Sequence, residues 1–266
     1  MNRTHITKRT VLLLALFLIA GLNSLFAASP DCHNPNVVTP DGRPTYIFDY
    51  LSANTSYYWG FYGQAGHSYS IEMVYDFDND ARSGAPGNYY PRVYNVGDDF
   101  CSNISSLHYS FTGPWAPVLN WRWSLRYGFI APSNGLYGFT ASENSNGGYI
   151  SFRVVDTTMF NPRWSTYSGF VSTWGISNTS DHDINGTLTI YDSAGNVVGV
   201  PHNETFRAGQ VRYFFSDPSD LNLPSGMAGS ATFAYAGPPG AILADAFMTS
   251  ATRVFPTKFE PRNAQW

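Results

Sequence analysis

The feature that most constrains this chain is a two-residue alternation of large apolar and small or polar side chains, plainest between Tyr127 and Val155. Tyr137, Phe139 and Ala141 fall on one face there, and Ile150, Phe152 and Val154 on one face of the next segment. That is the period of a half-buried strand, because successive side chains leave a strand on opposite sides. Residues 142–148 between them turn or solvate a backbone, and Pro132-Ser133-Asn134-Gly135 is a turn in front. The pattern predicts a hairpin, two paired strands at the centre of the sequence. It holds no catalytic group, so this centre is architectural.

The same alternation recurs on both sides. Tyr69, Ile71, Met73 and Tyr75 alternate with Ser70, Glu72 and Val74 over 67–77, and Trp121, Trp123, Leu125 and Tyr127 share a face. Segments 45–51, 56–62 and 107–111 are further strand candidates. Residues 158–163 read as a linker, because Asn161-Pro162 breaks a continuing strand. A second set follows over 164–252. Phe170, Trp174 and Ile176 line one face, and 187–191 leads through a turn at 192–196 into a returning hairpin strand at 197–200. Strands at 211–215, 231–235 and 242–248 complete the set, and 253–266 reads as a loosely held tail. Aromatics make up 17% of the chain, charged residues 13%, and there are four Glu, which favours strands over helices. The expected class is all-β, as two consecutive β-sandwich domains, the second immunoglobulin-like from its six or seven short strands.

The first residues give an address. Arg3, Lys8 and Arg9 precede an apolar run over 11–20, and Ala27, Ala28 and Ser29 follow. Residues 1–28 therefore read as a secretory signal peptide of a secreted protein, extracellular or periplasmic after cleavage. The alternative is an uncleaved anchor, for which the apolar core is shorter than the ~20 residues a span needs. Taking Arg3, Lys8 and Arg9 from the 15 basic residues leaves 12 against 19 acidic, a formal charge of −7. That balance argues against nucleic acid or anionic lipid as a partner. Cys32 and Cys101 read as a disulfide in an exported chain. Closing that loop would remove about 4 kcal/mol of unfolded-chain freedom. Unpaired thiols, or a bond to another chain, are the alternatives.

Three segments carry a resemblance: Ala-Gly-His-Ser-Tyr-Ser-Ile-Glu at 65–72, Phe-Ile-Ala-Pro-Ser-Asn-Gly-Leu-Tyr-Gly-Phe at 129–139, and Gly-Tyr-Ile-Ser-Phe-Arg-Val-Val-Asp-Thr at 148–157. In this order they resemble the bacterial pre-peptidase C-terminal domain, over about residues 45–157. The resemblance implies a jelly-roll-like β-sandwich for 29–157, of the kind appended to secreted peptidases and other exported proteins. No peptidase domain accompanies it in this sequence.

Candidate sites are few. Asp76, Asp78 and Asp80 alternate in a loop and offer hard oxygen ligands to calcium. Ala81 stands where an EF-hand turn wants Gly and Gly87 where it wants Glu, so a solvated acidic strand end is the competing reading. Some members of the resembled family bind calcium through such loop carboxylates. Asp181, His182, Asp183 and His202 form a weaker metal candidate, with plain surface groups as the alternative. Tyr57, Trp59, Tyr62 and Trp115 are candidates for stacking against sugar rings, the alternative being core packing. No nucleophile elbow, zinc-protease helix, Cys-x-x-Cys or phosphate-binding glycine loop is present. The expectation is a non-enzymatic binding, adhesion or accessory protein with an extracellular polysaccharide or protein ligand. A carbohydrate-binding protein is the nearest alternative and a hydrolase of unrecognised type a more distant one.

Overall fold

A computed structural model describes residues 35–40, 47–51, 55–76, 92–95, 117–118, 122–143 and 148–262. The signal segment 1–28, Cys32, Cys101, Asp78, Asp80, Trp115 and the strand expected at 107–111 lie outside these. Apart from one 3-10 turn at Tyr167–Gly169, the described regular structure is strand, and the chain is an all-β protein.

Nine strands build the first body: β1 (Asn36–Val37), β2 (Ile47–Leu51), β3 (Thr55–Gly63), β4 (Ser68–Asp76), β5 (Arg92–Asn95), β6 (Pro117–Val118), β7 (Arg122–Ile130), β8 (Gly135–Glu143) and β9 (Gly148–Asp156). They form two sheets, β1-β3-β8-β5 and β2-β9-β4-β7-β6. From β2 to β5 the chain changes sheet at every strand, and it does so again from β7 to β9. The early strand β2 is paired with the late strand β9. This is the winding of a jelly roll.

The winding corrects the central hairpin. Both strands form where the alternation places them, but β8 pairs with β3 and β5, while β9 pairs with β2 and β4. They face each other across the core, where Phe139 meets Phe152 edge-on at 5.2 Å between ring centroids. Trp59 on β3 lies between them, 5.7 Å from Phe139 and 4.9 Å from Phe152. Phe61, Tyr69, Phe129 and Tyr137 continue the aromatic layer, and all are essentially buried. Each such side chain contributes about 1.5–3 kcal/mol by leaving water.

The second body follows with β10 (Met159–Ser165), β11 (Val171–Asn178), β12 (Ile184–Asp192), β13 (His202–Phe206), β14 (Val211–Phe215), β15 (Ala228–Tyr235), β16 (Ile242–Thr249), β17 (Val254–Lys258) and β18 (Glu260–Pro261). Its sheets are β13-β12-β15-β10-β18 and β14-β11-β16-β17. They enclose one core centred on Trp164, Trp174, Phe206, Phe214 and Phe233. The Trp164 indole N–H is satisfied by the Tyr191 and Ser230 carbonyls at 2.8 and 3.1 Å. The result is a sandwich of immunoglobulin-like size with its own strand order, since β10 and β11 lie in opposite sheets.

Three boundaries differ from expectation. The stretch 159–163, read as linker, is part of β10. Its register shifts between Asn161 and Trp164, and that bulge accommodates Pro162 without breaking the strand. Buried Asn161 donates to Thr257 Oγ1 and the Lys258 carbonyl, joining β10 to β17 in the opposite sheet. The stretch 253–262, read as tail, supplies β17 and β18. The strand returning from the 192–196 turn is 202–206 rather than 197–200, where a single bridge, Tyr191 to Val197, forms.

Only Thr157 and Thr158 separate β9 from β10. The Thr157 N–H donates to the Ser68 carbonyl at 2.8 Å, and the Ser68 N–H donates to Thr158 Oγ1 at 2.9 Å. The bodies also touch backbone to backbone. A Cβ on Gly128 of β7 would meet the Gly237 nitrogen at 2.3 Å, so this approach requires glycine.

Candidate functional site

The outer face of the β14-β11-β16-β17 sheet is the most distinctive surface of the described residues. Its composition follows from strand alternation. On β14, Phe214 points into the core while Val211, Tyr213 and Phe215 point out, at 53%, 48% and 36% exposure. On β16 the same rule turns Ile242 and Ala246 inward and leaves Leu243 60% exposed.

Register assembles these side chains into rows, since residues opposite one another on neighbouring strands share a face. Val211 lies opposite Ser177, and Ser177 opposite Leu243. Tyr213 lies opposite Gly175, then Asp245, then Lys258. Phe215 lies opposite Thr173, then Phe247, then Pro256. Val254 on β17, opposite Thr249, adds another exposed side chain to this face. Five of the eleven exposed large hydrophobic residues among those described thus fall on one sheet face. Adjacent rows are roughly 7 Å apart and adjacent strands about 4.8 Å.

Gly175 sets the posture of Tyr213. A Cβ there would meet Cε1 of the Tyr213 ring at 3.0 Å and Cδ1 at 3.3 Å, so the ring lies over the glycine. One ring face covers β11 and the ring remains half exposed. Next in that row, on β16 opposite Gly175, exposed Asp245 makes no hydrogen bond or ion pair among the described residues. A half-exposed aromatic ring beside an unpaired carboxylate can stack against an apolar ring and accept hydrogen bonds from its polar edge.

The edge of this sheet is closed rather than sticky. The Phe215 N–H donates to Asp220 Oδ2 at 3.0 Å and the Leu221 N–H to the Phe215 carbonyl at 3.0 Å. Arg212 donates to the Tyr213 carbonyl and to Asp220 Oδ1, the latter at 3.1 Å. Its guanidinium lies 4.8 Å from the Phe214 ring centroid, and Glu204 is within 3.5 Å on the opposite sheet. These contacts occupy the Phe215 N–H, the Phe215 carbonyl and the Tyr213 carbonyl on the outward edge of β14, which discourages strand addition along that half. The face is therefore the accessible feature.

The residues singled out from sequence are dispersed. Trp59 is fully buried between Phe139 and Phe152, so its ring meets no solvent-borne ligand. Tyr62, at the end of the same strand, is 67% exposed, and Tyr57 lies opposite Ala141 in the β3–β8 ladder. Asp76 ends β4 opposite Arg122 and Tyr149. No group of three or more His, Cys, Asp or Glu among the described residues is arranged to hold a metal. His182 leans on Asp181 at 3.5 Å, while His202 sits against Glu204 at 3.4 Å.

One His–Asp pair occurs in a buried setting. His67 Nδ1 lies 3.0 Å from Asp156 Oδ2, beside Ser68. Its other nitrogen is engaged by Arg262, and the Ser68 hydroxyl accepts from Thr157 at 2.9 Å. The imidazole thus has no free nitrogen to take a proton from a nucleophile, as a hydrolytic triad requires. Nearby Tyr69 is pushed up to about 12 by burial. Tyr235, under the other sheet, is pushed to about 12 for the same reason.

Tyr213, Phe215 and Leu243 are not among the sequence candidates, because they lie outside the dense aromatic run at 57–62. Alternation puts Val211, Tyr213 and Phe215 on one face, with Arg212 and Phe214 on the other, but apolar residues on both faces leave the outward side unmarked.

Among the described residues no helix is long and apolar enough to cross a membrane. No family model matches the chain, and no curated protein matches it. Among solved structures it is similar to the full extracellular region of zebrafish Gpr126/Adgrg6, at 12% identity and a TM-score of 0.23. The match covers 86% of this chain and 31% of that one. The chain thus spans about a third of that neighbour's length, and a likeness this slight carries nothing about its role.

Proposed function

We propose that this chain is a non-enzymatic binding protein acting at a cell surface or outside the cell, and that it binds through the outer face of the β14-β11-β16-β17 sheet. The observation that carries the reading is the concentration of Val211, Tyr213, Phe215, Leu243 and Val254 on one face beside a closed edge. Such a patch costs solubility unless it meets a partner, and covering it gains about 25 cal/mol per Å². The basic start and apolar run over 11–20 support the compartment. The resemblance of 45–157 to the pre-peptidase C-terminal domain supports an accessory role for the first sandwich.

The test is a screen of the chain against immobilised polysaccharides and extracellular matrix proteins, repeated with the pair Tyr213→Ala and Phe215→Ala. The pair is expected to lower retention at least tenfold while leaving the melting temperature near that of the parent. Unchanged retention by the pair, or no retention of the parent on any surface, overturns the reading.

A second reading rests on Tyr213, Gly175 and Asp245 together. A ring laid over glycine beside a free carboxylate suits a pyranose, whose C–H face stacks and whose hydroxyls donate. Competition by soluble oligosaccharides, lost in Tyr213→Ala, would favour it over a protein ligand.

A further inference from the structure

At the junction of the two sandwiches, His67 is held from both sides. Arg262 donates to its Nε2 at 2.8 Å, and its Nδ1 faces Asp156 Oδ2 at 3.0 Å. A guanidinium has only donors, so Nε2 must be the acceptor and the ring proton must sit on Nδ1, donated to Asp156. The Arg262 contact therefore exists only with a neutral imidazole.

The three groups come from three places in the chain. His67 immediately precedes β4 after the Gln64–Gly66 turn, Asp156 ends β9, and Arg262 follows β18. Arg262 is additionally fastened by its backbone N–H to the Thr158 carbonyl at 2.9 Å, and β18 by its register with Met159 and Phe160. The C-terminal strand thus reaches back across the two-residue link and grips the first sandwich through one imidazole.

We infer that His67 is an acid-sensitive latch: its neutral ring holds Arg262 and the C-terminal strand against the first sandwich, and protonation releases them. The charged and titratable groups facing the ring are Asp156 from β9, Arg262 from beyond β18, and Tyr69 from β4, whose ring stacks 6.2 Å away. Tyr69 stays neutral in the relevant range, so it adds no charge. A proton on Nε2 sets a second donor and a second positive charge against the guanidinium. The Nδ1–H to Asp156 bond survives and strengthens, because donor and acceptor are then both charged. Acid consequently loosens one side only. The first sandwich keeps its His–Asp bond, and the strap from the second lets go.

The latch is read by amide hydrogen exchange of the full chain at about pH 8 and about pH 5, a window in which imidazoles change charge. Protection is taken relative to the intrinsic rate at each pH. The amides of Arg262 and Glu260, on either side of Pro261, are expected to lose at least tenfold protection on acidification. In His67→Gln, whose amide accepts from Arg262 without titrating, protection is expected to hold at both pH values. In Arg262→Ala it is expected to be low at both. Equal protection of the parent at both pH values overturns the latch, as does the same acid loss in His67→Gln. Should His67→Gln not fold, imidazole nitrogen NMR on the parent decides. An Nδ1-protonated neutral ring that loses its Arg262 coupling on acidification supports the latch, and an Nε2-protonated ring at neutral pH overturns it.

Discussion

The second sandwich turns two outer faces to solvent, built by one rule of alternation and opposite in chemistry. On the β13-β12-β15 side the outward positions include Asn185, Thr187, Asn203 and Thr205. Thr187 donates to Asn203 at 2.6 Å and Thr205 to Asn185 at 2.7 Å, so these four side chains bond to one another across the ladder. On the β14-β11-β16 side the outward positions include exposed Val211, Tyr213, Phe215 and Leu243, and none of these four hydrogen-bonds to another. The first face is finished without a partner. The second gains from one. The difference shows that composition alone does not identify a binding surface in an aromatic-rich sandwich. What matters is whether the outward groups already serve each other.

The contrast is tested hardest at β14, where neighbouring phenylalanines face opposite ways. Phe214→Ala is expected to lower the unfolding free energy by about 3–5 kcal/mol, through lost burial and the cavity left behind. Phe215→Ala, one residue on, is expected to cost under about 1 kcal/mol. Urea melts of both measure it, and equal costs would mean that the outer face is covered after all.

A smaller effect probes the layer beneath the polar face. Burial holds Tyr235 protonated up to about 12, whereas in the unfolded chain it ionises near 10. Its contribution is present in full below about pH 10 and is lost as pH rises through about 12. The loss amounts to roughly 2–3 kcal/mol on linkage grounds. Melts between about pH 9 and pH 12 are expected to show it in the parent and to show less of it in Tyr235→Phe.

The smallest effect belongs to the polar face itself. Thr187→Val leaves Asn203 without its donor yet exposed to water, and is expected to cost about 0.5–1.5 kcal/mol with no change in ligand retention. Lost retention in that variant would move the binding surface to the wrong side of the sandwich.

Much of this fold was legible in advance, because alternation reports directly which residues are buried. Phe139, Phe152, Tyr69, Trp174 and Ile176 all lie on the side their spacing predicts. Pairing was not legible. Period two says that β8 and β9 each have an inner face, but a short polar connection serves equally for a hairpin within one sheet or a crossing between two. Pro162 misled for a related reason. Proline removes one ladder donor, and a bulge supplies a place where none is needed. Of the sugar-stacking candidates, Trp59 was drawn inside because the largest apolar side chain gains most from burial. The outer face of β14 depends on register among three strands far apart in sequence, which no local pattern encodes.

The contact between Gly128 and Gly237 bears on how such a chain can be recombined. Sandwich domains are often treated as cassettes, cut at the linker and exchanged. Here the cut would pass through two threonines, and the joint also needs a residue without a side chain at Gly128, where the Gly237 backbone of the second sandwich lies against it. A replacement first sandwich carrying alanine at the position of Gly128 would press a methyl group into the Gly237 peptide of the second. The two halves are therefore inherited, or engineered, as a matched pair.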